Sequence, residues 1–201
     1  MIKSILHRIV SIPMIYDLLQ TLVGAKQVRS RLQRQLINLP KEALVVDVGG
    51  GTGLNRSLFT SDMRYICFDN DPLKLEGMMQ KSIDGDPLLG DAGKIPIQTA
   101  SVDIVICTSV THHLLDDVLD GFLQESMRIL KPDGKLVVLD AVWLPHRLPS
   151  RILWKYDRGS YPRTAQTLHE TLSRYGKQTH WEEFAVIHRY IIGIFQKNEA
   201  L

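Results

Sequence analysis

The sequence predicts an α/β fold built on a mostly parallel, seven-stranded sheet, and three observations carry that expectation. Residues 44–53 read Leu-Val-Val-Asp-Val-Gly-Gly-Gly-Thr-Gly, a short Val-rich apolar run followed by four glycines in five positions. Nearly continuous apolar runs of this length are how strands buried on both faces of a parallel sheet read. Comparable runs recur at Tyr65-Ile66-Cys67-Phe68, Ile104-Val105-Ile106-Cys107 and Leu136-Val137-Val138-Leu139. A short strand at Leu88-Leu89 and a closing pair over 181–187 and 190–196 bring the count to seven, with Gly193 interrupting the last.

Composition bounds the rest. A chain of 201 residues is one domain, or one domain with an appendage. Hydrophobic residues make up 44% and charged residues 23%, so a sizeable core is available; a net charge of +2 is too small to imply nucleic acid. Cys67 and Cys107 lie far apart, each in an apolar run, and read as buried free thiols of a reducing, cytoplasmic compartment rather than a disulfide or metal framework. No uncharged apolar run is long enough to span a membrane.

Residues 1–40 read as an N-terminal helical segment packed on the core. Ile2, Ile5, Leu6 and Ile9 follow helical spacing up to Pro13; Ile15, Leu18, Leu19 and Leu22 run to Gly24; Val28, Leu32 and Leu36 run to Pro40. Arg29, Arg31 and Arg34 on the third pattern suit a solvated face. Residues 1–12, basic and free of acids, offer peripheral contact with an anionic membrane surface, and the same amphipathic stretch has some character of a transit peptide.

After the first strand and its glycine turn, Thr52, Leu54, Asn55, Leu58 and Phe59 continue with helix-like spacing, so the unit reads as strand, tight turn and helix. Such a turn presents backbone N–H groups and a helix dipole where ligands of open α/β sheets bind. The register of the glycines is informative. A dinucleotide fingerprint would put its third glycine on Leu54, and a phosphate loop would need a Gly-Lys pair, whereas the next lysine is Lys74. What stands there is D-x-G-x-G-x-G over residues 47–53. Sixteen residues after Gly53, the second strand ends in Asp69-Asn70-Asp71-Pro72. A carboxylate at that tip can accept from two ribose hydroxyls, which suits Asp69, while Asp71 suits the N-cap of a helix opening at Pro72.

In D-x-G-x-G-x-G the chain resembles the class I S-adenosylmethionine-dependent methyltransferases. The resemblance continues through Gly90-Asp91-Ala92, Ile95-Pro96, Ser101-Val102-Asp103-Ile104-Val105 and Arg128-Ile129-Leu130-Lys131-Pro132-Asp133-Gly134-Lys135-Leu136, where Asp133 replaces a commoner glycine. It covers about residues 40–142. It implies a doubly wound, Rossmann-like methyltransferase fold with one late antiparallel strand, and S-adenosylmethionine as cofactor, leaving as S-adenosylhomocysteine. Asp47, Gly49, Gly51 and Gly53 would form the cofactor turn, and Asp69 with Asn70 would take the ribose. Asp91 and Ala92 would take the adenine, and Thr108 would face the cofactor from the fourth strand. Asp103 would be structural, and residues 41–201 would form the catalytic domain.

His112 and His113 follow the fourth strand and are the candidate general bases, against a packing role framing the methyl end. Asp116 and Asp117 read as the cap and first turn of a helix that ends at the 131–134 turn, and 164–175 as a helix stopped by Gly176. Residues 143–163 carry His146, Arg147, Arg151, Lys155, Arg158 and Arg163 interleaved with Trp143, Trp154, Tyr156 and Tyr161. They read as a substrate lid favouring an anionic or aromatic small-molecule acceptor, or as an amphipathic helix with its aromatics packed inward. Three other classes share features with this reading. A non-catalytic cofactor-binding or interaction protein would keep the same binding residues. A nucleic-acid methyltransferase would be expected to bring an Asn-Pro-Pro-Tyr type motif or an RNA-binding module, and neither is visible. A nucleotide-binding oxidoreductase would need the other glycine register. The sequence does not specify the oligomeric state.

Overall fold

The structure, a computed structural model, describes residues 24–144, 154, 161–186 and 189–198. The first two helical patterns of the N-terminal segment, the membrane-contact stretch and most of the proposed lid lie outside the described residues.

A helix, α1 (Ala25–Gln35), buries Val28 and Leu32. It leads to β1 (Leu44–Val48), whose last four residues are buried. β2 (Arg64–Asp69), α2 (Pro72–Gln80), β3 (Asp86–Leu89) and β4 (Val102–Thr108) follow. Then come α3 (Asp116–Ile129), β5 (Leu130–Val142), α4 (Ala165–Ser173), β6 (Gly176–Ala185) and β7 (Arg189–Lys197). The seven strands form one sheet in the order β3-β2-β1-β4-β5-β7-β6. β1 pairs parallel with both β2 and β4, and β7 runs antiparallel to both its neighbours. The order reverses between β1 and β4, the switch point at which ligands of doubly wound sheets bind.

Strand alternation sorts two cores. Val45, Tyr65, Ile104, Ile106, Val137 and Leu139 meet α1 and α2 on one face. Val46, Val105, Val138 and Ile191 meet α3 and α4 on the other. The sheet is thus wound on both faces, as expected, and Cys67 and Cys107 are buried free thiols. Among the described residues no helix is long and apolar enough to cross a membrane.

Local boundaries differ from the sequence reading in four places. The glycine turn is followed by a five-residue 3₁₀ segment, Leu54–Leu58, in place of a full helix. Arg56 stops it: buried, its guanidinium donates to the carbonyls of Phe59, Thr60 and Asp84 and to the Asp84 carboxylate, and Phe59 turns extended. The expected turn at 131–134 lies inside β5, because α3 ends at Ile129 and Leu130 already pairs with Val102. Lys135 pairs with Ile104, so the intervening residues bulge out of the ladder. β6 starts at Gly176, well before Trp181, as a largely unburied edge strand whose Lys177, Gln178 and Thr179 read as loop. Finally, Leu115 occupies the N-cap of α3 without a side-chain bond, and Asp116 and Asp117 fill its first turn. The capping expectation for α2 holds, and the structure adds a cap at α4. Asp71 accepts from Leu73 N at 3.0 Å. Thr164 accepts from Thr167 N at 3.1 Å. Asp103 ties β1 to β5 by accepting from Leu44 N at 2.9 Å and Lys131 Nζ at 2.8 Å.

Candidate functional site

Four parallel strands end at one edge, and the sequence-predicted residues arrive there together: Asp91 and Ala92 beyond β3, Asp69 and Asn70 at β2, the glycines at β1, and Thr108 at β4. The glycines at β1 serve different ends. Gly49 and Gly50 donate to Phe68 O at 2.7 and 3.2 Å, which locks the turn onto β2. A Cβ on Gly49, at φ +73°, would sit 2.3 Å from Val110 Cγ2, and one on Gly53 3.0 Å from Met78 and Ile83. Gly51, at φ +57°, differs: its nearest neighbours would be Lys74 Cδ at 3.7 Å and Asp69 Oδ2 at 4.0 Å. The turn is closed by packing everywhere but there, and the open side looks toward Asp69. Because the following segment is one short 3₁₀ piece, the expected helix dipole contributes little, and the N–H groups of the turn carry the polarity.

Asp47 lies beneath this turn with no exposed surface. Tyr65 Oη donates to its Oδ2, and Asn55 Nδ2 donates to both oxygens at 3.1 and 3.3 Å. Asn55 Nδ2 also reaches Thr108 Oγ1 at 2.8 Å, bridging β1 to β4 across the switch point. Burial raises the Asp47 carboxyl to about 6, against the Tyr65 and Asn55 hydrogen bonds that favour its charged form. Burial also pushes the Cys67 thiol up to about 12, which leaves it protonated and inert.

Asp69 is 3% exposed. Its Oδ2 accepts from Gly51 N and its Oδ1 from Asp71 N, each at 2.9 Å, and Lys74 Nζ stands 3.7 Å away. A carboxylate offers about four acceptor positions, so capacity is left for further donors. Asn70 is exposed. Asp91 is exposed as well, and its Oδ1 accepts from Gly93 N at 2.7 Å, ordering the loop that carries Ala92.

The two histidines part company. His113 is exposed, whereas His112 is buried, its Nδ1 2.5 Å from Asp140 Oδ1. Its ring meets Trp154 edge-on, with centroids 5.4 Å apart. Asp140 is fully buried and also accepts from Thr111 N and Ala141 N, each at 2.7 Å, and from the Thr111 hydroxyl. With Nδ1–H donating to this carboxylate, a neutral His112 ring carries its acceptor at Nε2.

Arg163, read from sequence as part of a substrate lid, is instead a buried clamp. It donates to Thr111 O at 2.7 Å, to Leu114 O at 2.8 Å and to Asp116. Tyr161 N donates to His112 O at 3.0 Å, and Trp143 N to Arg163 O at 2.8 Å. The ends of the proposed lid are therefore stitched to the histidine turn.

A cavity of about 210 Å³ opens on the α1 face at the same edge. Val28, Arg29 and Leu32 of α1 form one wall. Asn55, Thr108, Leu139 and Tyr190 face them, beside Ser109 in a left-handed conformation at φ +58°.

Sequence reasoning missed Asn55, Tyr65, Asp140 and the cavity role of Arg29. Asp140 had a signal: like Asp47 and Asp69, it is an acid at the carboxyl end of an apolar strand.

Comparison with known proteins bears on this edge. Residues 46–138 match the family model described as "Methyltransferase domain". An uncharacterised methyltransferase of a Mycobacterium species is 29% identical over 106 residues, 52% of this chain and 41% of that protein. An uncharacterised methyltransferase-like protein of Schizosaccharomyces pombe is 29% identical over 100 residues, 49% of this chain and 38% of that protein. The match thus spans about two fifths of each relative's length. Among solved structures, the PH0226 protein of Pyrococcus horikoshii superposes with a TM-score of 0.71 at 17% identity, covering 88% of this chain and 93% of that one. A TehB-like SAM-dependent methyltransferase of Corynebacterium glutamicum gives 0.64 at 18% identity, covering 92% and 97%. A SAM-dependent methyltransferase of Methanosarcina mazei gives 0.70 at 13%, covering 80% and 95%. These superpositions establish the fold. The family match includes the glycine turn, Asp69, Asp91, Thr108 and the histidines. It stops short of Asp140, and α1 and Tyr190 also lie outside it.

Proposed function

We propose that the chain is an S-adenosylmethionine-dependent methyltransferase of the class I type, as the match of residues 46–138 to a methyltransferase-domain model and the shared fold support, and that it transfers a methyl group to a nucleophile on a small molecule. The observation that carries the proposal is the open side of Gly51 next to a nearly buried Asp69 with acceptor capacity to spare. Gly51 would leave room for the methionyl arm of the cofactor, with Gly49 and Gly53 holding the turn in shape. Asp69 would accept from the ribose hydroxyls, beside Asn70. Asp91 would accept from the adenine amino group, and the Ala92 N–H would donate to the ring. Asp47 lies one layer beneath, where it fixes Asn55 and Thr108 at the reacting end.

When bound, the cofactor supplies an electrophilic methyl on a sulfonium. The protein's contribution is to align the acceptor with it and to exclude water, which accounts for large factors in rate when reactants are held in line. A proton leaving the acceptor needs a base, and of the two histidines His112, with its tautomer set by Asp140, is the better oriented, while neither lines the cavity beneath α1. Calorimetric titration with S-adenosylmethionine and S-adenosylhomocysteine tests the proposal. Saturable 1:1 binding of both is expected, and a folded sample that binds neither would end it.

A further inference from the structure

The cavity beneath α1 lies on the far side of the edge from Gly51, Asp69 and Asp91, and it meets the cofactor residues at Thr108. Gly51, Asp69 and Asp91 belong to β1, β2 and β3 or the turns after them. Thr108, Leu139 and Tyr190 belong to β4, β5 and β7, across the switch point. The two halves meet where Asn55 binds both Asp47 and Thr108. A molecule in this cavity would stand beyond the reacting end of anything held on β1–β3.

The cavity's walls are apolar at Val28, Leu32, Leu139 and Tyr190, and among the described residues they hold one cation, Arg29. Half-buried and buried arginines elsewhere among the described residues have a carboxylate. Arg31 pairs with Glu182, Arg56 with Asp84, Arg128 with Glu125, Arg163 with Asp116 and Arg189 with Glu183. Arg29, also half-buried, has none. Its Nη2 donates to Ser57 Oγ at 2.5 Å and Leu54 O at 3.3 Å, which fixes the guanidinium, while Nε and Nη1 meet no acceptor among the described residues. A partly buried, oriented guanidinium without a carboxylate partner among the described residues attracts a carboxylate, which its planar fork can bind through paired hydrogen bonds.

We propose that this cavity is the acceptor site and that Arg29 selects the acceptor: a small molecule with a compact apolar or aromatic body and one carboxylate, which pairs with the guanidinium. A volume of about 210 Å³ lies below the range of drug-sized pockets and suits a single ring or a short chain. The proposal rests on the methyl-transfer reading for the word acceptor, but the carboxylate site is testable without turnover.

The test is a binding titration by protein NMR on the full chain with S-adenosylhomocysteine present. The probes are benzoate, phenylacetate and hexanoate, each set against its neutral amide. At least one acid should bind with at least tenfold higher affinity than its amide, and Arg29→Met should abolish that preference. Arg29→Lys, which keeps the charge without the fork, should retain part of it. Both variants should unfold in urea within the normal cooperative transition and bind S-adenosylhomocysteine as the parent does. Equal binding of all acids and amides overturns the proposal, as does an acid preference that survives in Arg29→Met. Loss of S-adenosylhomocysteine affinity in a folded Arg29→Met also overturns it, because the guanidinium would then serve the cofactor's own carboxylate. Failure of the parent protein to bind S-adenosylhomocysteine would count against the methyl-transfer reading alone, since the acid–amide comparison can be run without it.

Discussion

Replacing Tyr65 by Phe removes one oxygen from the core and should make the protein's stability depend differently on pH. That hydroxyl donates to Asp47 Oδ2, and Asp47 has no exposed surface. The carboxyl is raised from 3.8 to about 6, burial being the largest cause and the Tyr65 and Asn55 hydrogen bonds opposing it. The folded state therefore holds this proton more tightly than the unfolded chain. The stability so contributed is fully present below about pH 4 and is lost as pH rises through about 6. A gap of about two units corresponds to about 3 kcal/mol. In Tyr65→Phe the charged form loses a donor, so its carboxyl should rise further. Above pH 7 the substitution deletes a hydrogen bond to a buried charge, costing about 1.5–3 kcal/mol; at pH 4.5 it deletes only a neutral one, about 0.5–1.5 kcal/mol. Urea unfolding of parent and variant at pH 4.5 and pH 8 measures both. Other titrating groups are common to the two proteins and cancel in the difference. The variant should be more destabilised at pH 8 by about 1 kcal/mol or more. Equal destabilisation at both pH values would show that Asp47 does not titrate in this window, and the electrostatic account of the turn would fail.

Other substitutions probe the edge directly. Gly51→Val places a branched side chain in the open space beside Asp69 at a left-handed φ. It should cost about 1–2 kcal/mol of stability and block the cofactor, whereas a folded variant with unchanged affinity would remove the proposed site. Asp69→Asn puts an amide where Gly51 N and Asp71 N both need an acceptor, so cofactor binding should weaken by roughly 1.5–3 kcal/mol in calorimetry; a neutral result would place the ribose elsewhere. His112→Ala should lower turnover while leaving cofactor affinity within a factor of two or three, and His113→Ala should change both little. Full turnover in His112→Ala would make it a packing residue. Arg163→Ala removes the guanidinium donor from the Leu114 carbonyl and the shorter of two donors from the Thr111 carbonyl, which keeps Leu114 N at 3.2 Å, and a loss of about 2 kcal/mol is expected in chemical denaturation.

The parallel half of the fold was legible because burial on two faces leaves a local trace. Val45, Val46, Ile104, Val105 and Ile106 form runs that only a covered sheet explains, and Asp47 and Asp69 mark where the runs reach solvent and ligand. β6 was only half legible, since an edge strand with one free flank can carry Lys177, Gln178 and Thr179. The helix expected after the glycine turn failed for a reason that lies 28 positions away in sequence, in the pairing of Arg56 with Asp84. Asn55, Tyr65 and Arg29 were illegible on the same ground. Their neighbours in sequence are unremarkable, and their meaning comes from what β1, β4 and α1 bring to them. Asp140 could have been found by treating it as Asp47 and Asp69 were treated, as the polar end of a buried strand.

The reversed direction of β7 has a consequence for how such a protein diversifies. In a parallel strand, the residue at the ligand edge comes last, after the core is already specified. In β7 it comes first, so Tyr190 sits next to the hairpin that joins β6 to β7. Across that hairpin, Val186 packs against Gly24 at the start of α1 so closely that a Cβ on the glycine would lie 2.2 Å from Val186 Cγ1. Val186 and Tyr190, on either side of the connection from β6 to β7, therefore tie the start of α1 and the β7 wall of the cavity to the same short stretch of chain. A change of length or sequence in that stretch can reshape what the cavity admits and leave the other half of the edge unaltered. Libraries confined to the hairpin and the start of α1 are the economical way to retarget this domain.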